Sequence, residues 1–353
     1  MSSTVSSTTL TAVASATGSC INVTPGKDGY VPEWACNSNY NYNPSMAAAL
    51  VFAIIFGITT FVHIYQAIAY KKIRLCWVII MGASWEFASF ALRVAGTKNQ
   101  QSTPIAFVSQ ILVLLAPMWV NAFDYMVLGR MIYFFVPEQK IWGIKGIQIA
   151  KIFVWLDIVS FITQVAGGIM ISPGSTGSTV MTGIHIYMGG IGLQELCILI
   201  FTSIAIKFSL GMRQRERELA TSRHQILDGK PDNWRMLLYV LYASLTLITI
   251  RIIFRLVEFA SGLDPSKNPI PYHEAYFMAL DALPMFVAIV LMNVVHPGRI
   301  LQGEGSEFPR MTRKERKEAK RIRREEKALA KEEKKASKEE KKMKRKMGSL
   351  DNV

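Results

Sequence analysis

Seven stretches of the chain are almost uniformly apolar and long enough to cross a membrane. Crossing about 30 Å of hydrocarbon takes roughly 20 helical residues, and a backbone inside lipid satisfies its own hydrogen bonds only as a helix or a closed barrel. The pattern therefore predicts an all-α polytopic membrane protein with seven transmembrane helices. The predicted spans are Met46–Ala69, Leu75–Ala95, Ile105–Leu128, Ile147–Ile171, Gly183–Phe208, Met236–Ala260 and Ala275–His296.

Basic residues gather in alternate connections between these spans. The connections after spans 1, 3 and 5 hold most of them, whereas the opposite side holds only Lys27, Lys98 and Lys267. Because Lys and Arg accumulate on the cytoplasmic side of a membrane protein, the N-terminus is expected outside and the C-terminus in the cytosol. This divides the chain into an extracellular segment (residues 1–45), a transmembrane domain (46–298) and a cytosolic tail (299–353).

The predicted extracellular segment is rich in Ser and Thr and lacks the basic and apolar regions of a cleavable signal peptide. Asn22-Val-Thr24 is a glycosylation acceptor there, whereas Asn43 is followed by proline and is not one. Cys20 and Cys36 lie in the same segment, where a disulfide would persist. Their spacing leaves two readings open, a Cys20–Cys36 disulfide and two independent thiols.

The formal net charge of +14 arises mostly in the tail. Residues from Arg299 to Val353 carry 20 of the 40 basic residues and 11 of the 26 acidic ones. A soluble protein this basic would suggest a nucleic-acid partner, but an apolar body with a basic tail points to a membrane instead. Repeats such as Lys331-Glu-Glu-Lys-Lys indicate a solvated helix. The tail is therefore either simply exposed or adheres to anionic inner-leaflet lipid.

Ionisable residues inside the apolar spans are the main functional signal. Arg251, Arg255 and Glu258 follow one another at i, i+4 and i+7, which places them on one helix face. Each such charge costs about 2.5–3.5 kcal/mol at the bilayer centre, so this face is expected to contact other helices or a polar cavity. The candidates for a substrate or proton pathway are Glu86, Asp124, Asp157, Glu195, Arg251, Arg255, Glu258 and Asp281.

These residues admit an architectural reading as well, in which they form buried salt bridges between helices. Arg255 and Glu258 are spaced to pair within their own helix, which leaves Arg251 for a partner on span 2, 4 or 7. Arg93 and Arg130 lie near span ends and can extend to the membrane interface.

Other polar or small residues in the spans are explained more simply by packing or helix capping than by a functional role. A single histidine in a span is more often a core residue than a proton carrier, glycine pairs more often allow close helix packing than ligand binding, and polar groups at the end of span 7 can cap it. These residues are His63, Gly167-Gly168, Gly189-Gly190, Asn293 and His296.

Several catalytic and cofactor motifs are missing from the sequence. It contains no phosphate-binding Gly-x-x-x-x-Gly-Lys-Ser/Thr loop, no His/Cys cluster with zinc spacing, no Gly-x-Ser-x-Gly elbow and no lysine in span 7 for a retinal Schiff base. We therefore expect no catalytic residues, no metal site and no cofactor.

A longer pattern resembles the fungal RTA-like, or lipid-translocating exporter, family. It includes Arg251-Ile-Ile-Phe-Arg255-Leu-Val-Glu258-Phe-Ala-Ser-Gly262, then Glu274-Ala-Tyr276, Asp281-Ala-Leu-Pro284-Met285 and His296-Pro-Gly298. Upstream landmarks are Tyr42-Asn-Pro-Ser45, His63, Glu86 with Arg93, Leu115-Ala-Pro117, Tyr125, Gly129-Arg130, and Asp157 with Gln164. The sequence departs from the pattern at Ser89-Phe90, where the family usually has Gly-Tyr.

The resemblance implies a seven-span protein, commonly of the plasma membrane, linked to resistance against toxic amphiphiles and to release of sphingoid long-chain bases. The leading hypothesis is an exporter of cationic amphiphiles whose carboxylates stabilise the ammonium head group. Without a nucleotide site of the phosphate-loop kind, transport is expected to be downhill or coupled to protons. The alternative is a seven-helix receptor or sensor; span 3 ends in Gly129-Arg130 rather than an acidic-Arg-aromatic triplet.

Overall fold

The structure is a computed structural model that describes residues 21–32, 35, 37–171, 177–221, 234–260 and 268–303, with isolated positions in the tail. The chain forms two compact units, Met1–Ser306 and Glu307–Val353. In the second unit, exposed Arg321 and Glu325 form an ion pair of 3.5 Å at i, i+4 spacing. The predicted disulfide involves Cys20 and Cys36, which lie outside the described residues.

The first unit is a helical bundle, and its described part contains seven helices long and apolar enough to cross a membrane, as predicted. Six continuous helices are α1 (Met46–Ala69), α2 (Ile73–Lys98), α3 (Thr103–Phe135), α4 (Gly146–Met170), α5 (Gly177–Thr221) and α6 (Trp234–Ala260). The seventh, α7, consists of Glu274–Phe277, a π-helical turn at Met278–Ala282, and Leu283–Val294. Short helix α8 (Pro297–Ile300) follows, and strands β1 (Lys140–Ile141) and β2 (Ile144–Lys145) form a hairpin between α3 and α4.

Helix α1 begins and ends at the predicted residues, whereas α3 and α5 extend beyond their apolar cores. Helix α3 continues past Leu128 to Phe135, and Arg130, which is buried inside the bundle, does not mark the helix end. Helix α5 continues past Phe208 into a polar stretch, where Glu216 binds Trp234 and Arg235 at the start of α6. Hydropathy alone does not detect this polar extension.

The helices are packed in a ring in chain order. Each helix from α1 to α7 contacts the next, α7 closes the ring against α1, and α3 contacts α6 across the middle. Large apolar side chains are exposed along the outer faces of α1 and α4, as in a bundle surrounded by lipid. The bundle interior combines a large apolar core with buried charged and polar side chains.

Two glycines bring α4 and α5 close together. A Cβ atom on Gly167 would lie 2.5 Å from the Tyr187 backbone nitrogen, and one on Gly190 would lie 2.9 Å from the Ser160 carbonyl oxygen. The neighbouring Gly168 and Gly189 have no such atom within 4 Å. The predicted packing role thus holds for one glycine of each pair, as expected for small residues at helix interfaces in membranes.

Candidate functional site

Two arginines of α6 share one carboxylate of α7. Arg251 and Arg255 are both buried, and Asp281 forms ion pairs with both guanidinium groups. Arg255 also pairs with Glu258 at 2.9 Å, and the Arg251 Nη2 donates to the Val113 carbonyl oxygen of α3 at 3.3 Å. The predicted pair within α6 is therefore confirmed, and the partner of Arg251 is on span 7.

Asp281 lies in the π-helical turn of α7, three residues before Pro284. Proline has no backbone N–H, so the helix cannot form its regular bond at this position and must adjust one turn earlier. The wider turn places Asp281 toward both arginines of α6. Single π turns inside α-helices are frequent at functional sites, which makes this part of α7 a functional candidate.

Glu86 of α2 is 2% exposed and lies within electrostatic range of Arg251, Arg255 and Asp281. Its Oε2 atom is buried without a hydrogen-bond partner in the described part of the chain. A buried, unpartnered carboxyl oxygen costs free energy, more when the group is ionised than when it is neutral, and a bound ligand would remove this cost. We call Glu86, Arg251, Arg255, Glu258 and Asp281 the inner charge cluster.

A second layer of charges lies between the inner charge cluster and the predicted extracellular end. Phe277 contacts two guanidinium groups, with Arg93 at 4.7 Å and Arg255 at 5.5 Å from its ring centroid. Arg93 pairs with Glu274 at 3.4 Å and donates to the Tyr42 hydroxyl. Arg93 is thus buried among protein groups.

This outer layer connects to the start of α1. The Ser45 backbone N–H donates to Glu274 Oε2 at 2.7 Å, while the Ser45 hydroxyl caps the helix. Burial raises the pKa of the Tyr42 hydroxyl, and the positive charge of Arg93 opposes that shift. The hydroxyl therefore stays protonated, and α1, α2 and α7 meet at one hydrogen-bonded junction.

A small cavity of about 10 Å³ adjoins the inner charge cluster from α4 and α5. Gln164, Gln194, Tyr187, Arg251 and Arg255 are among its described lining residues, and Gln164 donates to Gln194 at 3.1 Å. This volume is close to the minimum for one water molecule. The described structure is therefore closed around the arginines rather than open to a wide channel.

Asp124 and Asp157 belong to a second polar group nearer the predicted cytosolic half. Ser244 of α6 donates to Asp124 at 2.7 Å, and Asn121 donates to Asp157 at 3.3 Å. Tyr125 lies beside Asp157. The two aspartates are buried and connect α3 with α4 and α6. Their role in a pathway stays a prediction.

Glu195 is half-buried on α5 and is separate from both groups. It accepts a hydrogen bond from Thr249 of α6 at 3.2 Å. The eight candidate residues are therefore divided among an inner charge cluster of five, an aspartate pair and a single glutamate.

At the predicted cytosolic end, the histidines have structural partners. His63 is buried with its Nε2 atom 3.2 Å from the Ile289 carbonyl oxygen, which matches a core histidine. His296 caps α8 by accepting from the Gly298 N–H and lies 3.3 Å from the Cys76 sulfur. Arg130 is buried at this end as well.

Sequence reasoning did not select Tyr42, Glu274, Phe277 or Ser244 as site residues. Tyr42 and Glu274 appeared only as landmarks of a resemblance. No local spacing connects residues this far apart in the chain, so only the fold shows that they meet.

Ser89, where the sequence departs from the family pattern, has a structural partner on α3. Its hydroxyl donates to the Ser109 carbonyl oxygen at 2.7 Å, and the Ser109 hydroxyl donates to the Ser89 carbonyl oxygen at 3.0 Å.

Comparison with known proteins agrees with this architecture. The RTA1 like protein family model matches residues 79–304. The probable lipid transporter atnI of Emericella nidulans is 44% identical over 88% of this chain and 81% of its own. The lipid-translocating exporter-like protein RTA1 of Leptosphaeria maculans is 28% identical over 76% of this chain and 52% of its own.

The sphingoid long-chain base transporter RSB1 of Saccharomyces cerevisiae is 25% identical over 78% of each chain. No solved structure matches. The family model covers more than half of the chain, and a relative well above 30% identity covers most of it. This seven-helix membrane protein therefore belongs to the RTA1-like family.

Proposed function

We propose that the protein exports amphipathic lipids, with sphingoid long-chain bases as the substrate class. Relatives named as a lipid transporter, a lipid-translocating exporter and a sphingoid long-chain base transporter support this function. A sphingoid base has a cationic ammonium head and a hydrocarbon chain, so it needs a buried anionic partner and an apolar surface together. The bundle offers both.

The observation that carries the proposal is the buried, unpartnered oxygen of Glu86 within the inner charge cluster. Three carboxyl groups of this cluster, those of Glu86, Glu258 and Asp281, face only two arginines. An ammonium head group at Glu86 would give the cluster three cations for its three carboxylates. The hydrocarbon chain remains against the apolar faces of the helices.

Proton exchange at Glu86 gives transport a source of energy without a nucleotide. Binding of the ammonium head displaces one proton from the carboxylic acid, and its release allows the acid to form again. The cluster carries the same net charge before and after this exchange. An ionised carboxylate without a partner is costly in a dry site, which links loss of the proton to arrival of the cation.

We place the protein in the plasma membrane with an extracellular N-terminus and a cytosolic tail, and we expect a role in resistance to toxic amphiphiles. Asn22 is exposed, as a glycosylation site must be. The tail would adhere to anionic inner-leaflet lipid through its basic residues.

The direct test uses liposomes that contain this protein alone. A fluorescent sphingoid base is loaded on one side, and its movement is followed with and without a pH gradient. We expect flux above that of protein-free liposomes, dependence on the gradient, and recovery of chemically unchanged substrate, as for a transporter without enzymatic activity. An N-acylated analogue without the ammonium charge is the control.

The test also separates export from sensing. Flux equal to that of empty liposomes, with protein correctly inserted, would contradict the proposal. Recruitment of a heterotrimeric G protein by the same ligand would instead favour the receptor function, for which the names of the relatives give no support.

A further inference from the structure

A groove of about 250 Å³ lies between the β1–β2 hairpin and α5, at the end of the bundle predicted to be cytosolic. We call it the hairpin groove. Its described lining residues combine cations with apolar side chains and are Val136, Pro137, Lys140, Ile141, Trp142, Lys207, Phe208, Gly211, Met212 and Arg215. It shares no residue with the inner charge cluster.

The hairpin groove is electropositive. Lys140, Lys207 and Arg215 contribute three cations, and no carboxylate occurs among the described lining residues. The Arg215 Nη1 donates to the Phe135 carbonyl oxygen at 3.0 Å, which holds this guanidinium at the end of α3. Both lysines are exposed and form no ion pair within the described ranges. The groove thus offers an anion two free ammonium groups beside a fixed guanidinium.

Trp142 occupies an unusual position at the hairpin turn. It is 60% exposed, and its backbone φ is +50°, next to Gly143 at +76°. Two positive φ angles are typical of a tight two-residue hairpin turn, which normally favours Asn or Gly at both positions. The backbone of a bulky residue is strained in this conformation, and strain of this kind is concentrated at functional sites.

The position of Trp142 suits a membrane interface. Tryptophan is enriched at the level of the lipid head groups, where its ring contacts apolar chains and its N–H contacts water. Buried Phe208 and Met212 also line the groove, so apolar side chains and cations occur in the same site. An amphipathic anion matches this mixed lining better than a free ion does.

We propose that the hairpin groove binds the head group of an anionic phospholipid from the adjacent leaflet. Lys140 and Lys207 bind the phosphate, Trp142 lies at the head-group level, and the acyl chains extend along α5. This site is separate from the tail and from the cationic export substrate, so it does not depend on the export function. It anchors the α3–α4 connection to an anionic membrane surface.

Quenching of tryptophan fluorescence by brominated lipids tests the site in the full chain. Nanodiscs contain either brominated phosphatidylserine or brominated phosphatidylcholine at equal mole fraction, and the signal of Trp142 is obtained by subtracting the Trp142→Phe variant. None of the seven tryptophans lies in the tail, so lipid bound there does not contribute. We expect brominated phosphatidylserine to quench the Trp142 signal at least threefold more than brominated phosphatidylcholine does. This quotient is the quenching ratio.

Two charge-matched variants decide whether the groove is responsible. The Lys140→Gln/Lys207→Gln variant should lose the preference for phosphatidylserine, giving a ratio near one. The Lys71→Gln/Lys151→Gln variant removes two exposed charges at the same predicted end, outside the described lining, and should keep the preference. If the double variant does not fold, Lys207→Gln alone takes its place, and it should lower the quenching ratio.

Several results would overturn the proposal. They are equal quenching by the two lipids in the natural sequence, equal loss of preference in both double variants, and displacement of phosphatidylserine by water-soluble glycerophosphoserine at the same concentration. The last result would show that the groove recognises a free phosphate compound rather than a lipid.

Discussion

The carboxylate of Asp281 on α7 contacts the guanidinium of Arg251 on α6 inside the bundle. The same carboxylate contacts Arg255, one helical turn further along α6. Asp281 is buried, and Arg251 also donates to the Val113 carbonyl oxygen, so this shared carboxylate belongs to a contact that joins α3, α6 and α7. A change of partner at Asp281 would therefore alter the contacts of several helices at once.

Replacing Asp281 by asparagine should destabilise the bundle. Removing one partner of a buried ion pair costs about 3–5 kcal/mol, because the remaining charge is left uncompensated. For a bundle of this size we expect the melting temperature of the purified protein to fall by about 10 °C. Exposed Asp28 supplies the matched control, since Asp28→Asn should melt like the natural protein. An unchanged melting temperature for Asp281→Asn would show that the pair contributes nothing.

Replacing Gly167 by alanine should separate α4 from α5. The added methyl group would lie 2.5 Å from the Tyr187 nitrogen, and this backbone atom cannot move aside as a side chain can. Overpacking of this kind costs about 1–3 kcal/mol. Gly168→Ala is the control, because its methyl group meets no atom within 4 Å. Equal stability of the two variants would refute a tight α4–α5 contact at Gly167.

The sequence predicted local relationships well. Arg255 and Glu258 pair as expected because their spacing alone places them together on one helix. The seven spans follow from hydropathy, which responds to the same solvent preference that inserts a helix in lipid. Relationships of this kind need no knowledge of the neighbouring helices.

Contacts between different helices were harder to predict from the sequence. The sequence allowed three spans as the partner of Arg251, and only the packing of α6 against α7 selects Asp281. Arg93 was open to an interfacial interpretation because Glu274, its partner, lies 181 residues away. The division of the carboxylates into separate groups likewise depends on helix rotation, which an almost uniformly apolar span does not encode.

The orientation of the chain can be tested at Asn22. If the N-terminus faces the extracellular side, Asn22 should carry a glycan, and Asn22→Gln should remove the mobility shift that a glycosidase also removes. Asn43→Gln should leave the shift unchanged, because proline follows Asn43 and prevents glycosylation. A protein from fungal membranes that shows no glycosidase-sensitive shift would argue against an exposed extracellular Asn22.

Glu86→Gln tests the inner charge cluster most directly. The amide has the shape of the acid but neither binds an ammonium group ionically nor exchanges a proton, so sphingoid-base flux into liposomes should fall at least tenfold. Glu138→Gln makes the same chemical change at an exposed site of the α3–α4 connection and should transport normally. Flux per inserted molecule is the decisive measurement. A tenfold loss for Glu86→Gln at an unchanged melting temperature is predicted, and full flux from that variant would contradict a role for the cluster in export.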